Sequence, residues 1–255
     1  DYRDSDVIDF PVGSVLVKTF AYGDRSLEPR LLIHKADGWE AIPYVWNVEQ
    51  TTATYAPIGK RIEIAAGIAT ADADSFTYAV PNKNQCKTCH QNGDAVSPIG
   101  PKARNLNHQG PHGVNQLDDW AARGLLTGLP EDAPVMAKAF DPSETLMDQA
   151  RAYLDINCAH CHKATGSASN SGLWLEWEIE DAVKWGVGKH PTAAGRGSGD
   201  ALVVIKPGEP ERSIMAYRMA SDEAGVAMPE LGRALIDHEG IALIEAWISE
   251  MDSDG

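Results

Sequence analysis

The chain has four cysteines, and all of them fall in two copies of one pattern: Cys86-Lys87-Thr88-Cys89-His90 and Cys158-Ala159-His160-Cys161-His162. C-x-x-C-H is the attachment signature of c-type haem. Two intervening residues let a single turn of chain carry both thiols to the two vinyl groups of a porphyrin. The histidine that follows brings its imidazole beneath the ring, where it can bind iron. A chain marked in this way has to fold around two flat, largely apolar groups, a stronger constraint on its core than anything else in the sequence.

Two other chemistries use paired cysteines. One zinc site held by all four thiolates would leave unexplained why each pair carries a histidine in the same place. A redox-active dithiol needs a βαβ context that neither motif has. The pattern therefore predicts two covalently attached haem c groups. Cys86, Cys89, Cys158 and Cys161 are the thioether cysteines, and His90 and His162 are the proximal iron ligands. No cysteine is left for a structural disulfide.

The sixth ligands decide between an electron carrier, with both faces of the iron closed, and a site open to small molecules. Met228, in Gly225-Val226-Ala227-Met228-Pro229, is the expected ligand of the second iron. A thioether there raises the reduction potential relative to a second imidazole. For the first iron Met136 is the expected counterpart, with His108, His112 or a vacant position as the alternatives. Arg233, Lys189 and Arg196 are candidates to pair with haem propionates. His34, His160, His190 and His238 read as surface residues, and Trp174, Trp177 and Trp185 as packing.

Residues 12–20, 51–55, 61–65 and 76–80 are short runs rich in Val, Ile, Thr and Tyr. Asp37-Gly38 sits between the apolar runs 31–34 and 42–46, a hairpin signal. Pro81 and Asn82 mark a boundary. A Pro- and Gly-rich loop follows the first motif, and helical spacing returns at 117–126. Ser143 is a plausible N-cap for a helix that delivers Cys158. A second amphipathic helix, starting near Asp237, closes the chain. The predicted fold class is multi-domain: a small N-terminal β module at 1–81, followed by two mainly α cytochrome c-like modules at 82–141 and 142–255.

The chain has 37 acidic against 22 basic residues, a formal charge of −15. That excludes the basic footprint of a nucleic-acid binder and would steer toward a cationic partner. No run reaches the roughly 18 apolar residues of a membrane span. Asp1 is expected to be the mature end after removal of a secretory signal, because haem attachment to paired thiols belongs to the oxidising side of the bacterial membrane. A periplasmic location follows.

Several stretches together resemble a family of proteobacterial di-haem c-type cytochromes: Asn84-Gln85-Cys86, Ile99-Gly100-Pro101-Lys102-Ala103-Arg104-Asn105-Leu106-Asn107, Ala150-Arg151-Ala152-Tyr153-Leu154-Asp155, Ser171-Gly172-Leu173 and Met228-Pro229-Glu230-Leu231-Gly232-Arg233. The resemblance implies the haem-binding residues and Met228, and hints at a secreted parallel β-helix protein as partner. The expected function is a periplasmic carrier that passes electrons between protein redox partners by Fe(III)/Fe(II) cycling, rather than an enzyme. The alternatives are a peroxidase-like haem enzyme with an open first site and an electron-accepting docking subunit of a dehydrogenase.

Overall fold

The computed structural model describes residues 1–69, 73–110 and 113–252. The N-terminal part is a four-stranded antiparallel sheet in the order β1 (Val15–Tyr22), β2 (Arg25–Lys35), β3 (Gly38–Trp46), β4 (Ala53–Tyr55). Lys35 pairs with Gly38 across a two-residue loop. Gly38 has φ +119°, which only glycine adopts without strain, so the Asp37-Gly38 signal marks a real hairpin. Strands β5 (Lys60–Ile64) and β6 (Phe76–Val80) form a second antiparallel pair. Leu27, Val45, Ile64, Tyr78 and Val80 make the buried core of this part.

Helix α1 (Lys83–His90) carries the first motif. Asn82 and Gln85 form a capping box: Gln85 N donates to Asn82 Oδ1, and Asn82 N donates to Gln85 Oε1, each at 2.9 Å. The box starts the helix and sets the phase at which Cys86, Cys89 and His90 emerge. A tiny hairpin follows, β7 (Gln91–Asn92) and β8 (Ala95–Val96). Two short helices complete the region, α2 (Ala103–Leu106) and α3 (Gln116–Ala122).

The second motif follows α4 (Leu146–Asn157), which is capped by Thr145, not Ser143. Beyond it lie α5 (Ala182–Trp185), α6 (Ile214–Ala220) and α7 (His238–Glu250), capped by Asp237. Helices α4, α6 and α7 pack around Leu154, Ile205, Ile244 and Ile248. Gly240 lets α7 approach α4: a Cβ there would lie 2.3 Å from the Tyr153 hydroxyl oxygen. The stretch 201–205 forms no strand, only isolated bridges at Val203 and Ile205.

The expected fold class, a β module followed by two mainly α cytochrome c-like modules, is corrected by this architecture. The chain is 26% helical and 21% strand, with a four-stranded antiparallel sheet and seven α-helices among the described residues. The first motif has no long helix pair around it. Its helix α1 packs on β3, as does β8, and Lys83 of α1 is ion-paired to Glu40 of β3. Ile8 and Tyr2, from the N-terminal segment, pack with Ala103, Leu117 and Leu126. The apolar face of the first-motif region is thus covered by strands and extended chain. Pro98, Gly100, Pro101 and Gly110 stop its helices from growing long enough to cover one another.

Candidate functional site

Each motif presents its histidine in the same chemical state, by different local means. The hairpin after α1 turns the chain back so that Ser97 N donates to the His90 carbonyl at 2.8 Å. The His90 Nδ1 lies 2.9 Å from the Ser97 carbonyl oxygen. A carbonyl can only accept, so Nδ1 carries the ring proton and Nε2 holds the free lone pair. In the second motif, Cys161 N and His162 N both donate to Cys158 O, at 3.1 and 3.0 Å. The His162 Nδ1 meets Ser171 Oγ at 3.1 Å. That hydroxyl donates its own proton to Ala168 O at 2.7 Å, so it accepts from Nδ1 and again leaves Nε2 free.

Burial lowers the proton affinity of both imidazoles. Arg218 adds to this at His162. Neutral imidazoles with a free Nε2 and an anchored Nδ1 are what metal ligation requires.

The two motifs meet. The sulfurs of Cys89 and Cys161 and a ring nitrogen of His160 all lie within 4.8 Å of one another. Cys161 Sγ lies 3.5 Å from the Thr88 carbonyl oxygen. The close approach of Cys89 pulls the Cys161 thiol well below the usual thiol range and raises that of Cys89. Burial pushes the Cys158 thiol up to about 12. Cys86 is buried and donates to Asn82 O at 3.6 Å. A cavity of about 420 Å³ opens beside the meeting point, lined by Cys89, His90 and Ser97 from one motif region and Asp155, His160 and Lys163 from the other.

Met228 sits half-buried in a pinned loop. Its amide donates to Arg218 O at 2.9 Å, and Arg218 Nε donates to Val226 O at 2.8 Å. Arg233 donates to the carbonyls of Met219 at 2.7 Å, Met228 at 3.0 Å and Ser221. Arg233, a candidate propionate partner, thus pins the Met228 loop through Nη1 and Nη2. Arg196 is likewise engaged, with Glu223 and Ala224 O. Met136 is buried, and its amide donates to Arg104 O at 3.0 Å, but it does not line the cavity beside His90. His108 is exposed, with Nδ1 on its neighbour Gln109 O. His112 lies outside the described residues.

Several residues of the site were not legible as such. His160, expected at the surface, is half-buried, and its Nδ1 is buried without a hydrogen-bond partner. Arg30 of β2 acts electrostatically on Cys86, Cys89 and His90, and its Nε is also buried without a partner. Asn82-x-x-Gln85 was the one local signal that could have placed the first helix start.

The donor set at each motif, paired thiols and an adjacent neutral imidazole with Nε2 unengaged, fits an iron porphyrin, and open volume lies beside the first motif at Cys89 and His90. Among the described residues, no helix is long and apolar enough to cross a membrane. Comparison with protein-family models, with curated proteins and with solved structures finds no match.

Proposed function

We propose that this chain is a di-haem c-type cytochrome that carries electrons between protein partners outside the cytoplasm. The observation that supports it most is the pair of anchored histidines: His90 on Ser97 O and His162 on Ser171 Oγ, each directly after a C-x-x-C pair. Bound haem would supply one-electron Fe(III)/Fe(II) chemistry. Cys86 and Cys89 would hold one group and Cys158 and Cys161 the other. His90 and His162 would supply Nε2 from the proximal side, in the tautomer their Nδ1 partners select. Met228, on its arginine-pinned loop, is the distal ligand we assign to the second iron. For the first iron Met136 remains the assignment, and it requires the Pro134–Met136 segment to reach the His90 cavity.

Covalent thioethers place maturation in a compartment that handles paired thiols, which supports a periplasmic location. The net charge of −15 favours a cationic redox partner, with association that weakens as salt rises. The resemblance to proteobacterial di-haem cytochromes points the same way.

One observation favours a second reading. Cys89, His160 and Cys161 could hold a single zinc ion. That reading leaves Cys86, Cys158 and both anchored imidazoles without a task. The deciding experiment is the mass of the acid- and solvent-denatured chain expressed with a haem-attachment system. Two retained haems are expected. The bare polypeptide mass, accompanied by one equivalent of zinc in the native protein, would replace the first reading with the second.

A further inference from the structure

The two motifs are separated by 67 residues of chain, yet they are clamped together at the second cysteine of each. Cys89 and Cys161 lie within 4.8 Å, with His160 beside them. The contact is held by backbone and side-chain links around it. Cys161 Sγ lies 3.5 Å from Thr88 O. Gly93 N, in the turn after the first motif, donates to Thr165 O at 2.8 Å, and Thr165 Oγ1 donates to Asn92 Oδ1 at 2.5 Å. Gly166 then folds beneath the second motif so closely that a Cβ would lie 2.3 Å from Cys161 O. These links hold the chain at Asn92–Gly93 against Thr165 and so keep Cys89 and Cys161 side by side.

From this arrangement, and resting on the haem reading above, we propose that Cys89 and Cys161 join the two haems edge to edge as one electronically coupled pair. Each thiol would add across one vinyl C=C, the S–H and π bonds giving way to a C–S bond at the ring-side carbon and a C–H bond at the outer carbon, so two adjacent sulfurs bring two ring edges together. Cys86 and Cys158 do not join the cluster, so each haem reaches toward its neighbour from the Cys89 or Cys161 side. A charge on one iron then acts on the other across little intervening solvent, where screening is weak. The two reduction steps belong to the pair rather than to either haem, as for any two strongly interacting sites.

The test uses the intact, two-haem protein, with haem content set first by denatured mass. Circular dichroism across the Soret band and electron paramagnetic resonance of the fully oxidised protein are then recorded, and the resonance spectrum is repeated after one electron per molecule has been added. A two-signed Soret couplet, or resonance lines that are broadened when both irons are oxidised and sharpen at half reduction, is the expected result. Two haems by mass combined with a single-signed Soret band and an oxidised spectrum equal to the sum of two independent centres would overturn the pairing and leave the haem reading intact. Absence of haem by mass would overturn the haem reading itself, and the pairing with it.

Discussion

Arg104 Nη2 lies 2.9 Å from Asp155 Oδ1, and both side chains are almost wholly out of water, at 2% and 1% exposure. Arg104 belongs to α2, after the first motif, and Asp155 to α4, just before the second. The pair is reinforced on both sides. Arg104 also bonds Glu178 and Ser5 O, and Asp155 accepts from Trp177 N at 2.9 Å. Together with the Gly93–Thr165 link it fixes how the two motif-bearing regions sit on each other.

Removing one partner of a buried ion pair strands the other charge, at a cost of about 3–5 kcal/mol. Arg104→Met is therefore expected to lower the denaturant midpoint strongly. Arg104→Met combined with Asp155→Leu should recover part of the loss, since the buried carboxylate goes with the guanidinium, although Lys102, 3.6 Å from Asp155 Oδ1, loses its partner. A double variant no more stable than the single one would mean that the pair does not act as a unit.

The two histidine anchors differ in a way that mutation can separate. His162 relies on the Ser171 side chain, whereas His90 relies on the Ser97 backbone. Ser171→Ala removes the acceptor, weakens the basicity of the imidazole, and is expected to move the midpoint potentials of the haem-loaded protein proposed above upward. Ser97→Ala keeps its carbonyl and should move neither. A redox titration of both variants reads this directly; equal shifts in the two would count against the assignment.

Glu40 is held well below the usual carboxylate range, at about 2, by Lys35 and Lys83. A depressed carboxylate stabilises the fold at pH values above its unfolded pKa, near 4.5, and the contribution fades as pH falls toward 2. At low salt the wild type should exceed Glu40→Gln in thermal midpoint near neutral pH, and the two should converge between those limits. A difference independent of pH across that window would dismiss the ion pairs as its source.

Gly240→Ala sets two effects against each other. Alanine improves helix propensity by about 1 kcal/mol. The added Cβ meets the Tyr153 hydroxyl at 2.3 Å, and overpacking of that kind costs typically 1–3 kcal/mol. Crowding should win, with a lowered thermal midpoint. Tyr153→Leu, which removes the hydroxyl and ring atoms that the Cβ would meet at 2.3, 2.4 and 2.6 Å, should soften the effect of Gly240→Ala in the double variant. A midpoint raised by Gly240→Ala would mean that α7 slides freely on α4.

The sequence by itself determined the local pieces. It placed the two C-x-x-C-H motifs, the 35–38 hairpin, the strand at 76–80, and the helices before Cys158 and after Asp237, because each has a signature written in neighbouring residues. It did not reveal that α1 covers its apolar face with β3, that Arg30 acts on the first motif, or that His160 lies between two cysteines. Hydrophobic spacing says which face of an element must be covered, not what covers it. Only tertiary structure decided that the short helices at 82–141 would lean on strands, and that Cys89 and Cys161 would come together. Those choices rest on pairings between distant residues, such as Arg104 with Asp155 and Gly93 with Thr165, whose energies exist only once the chain has closed.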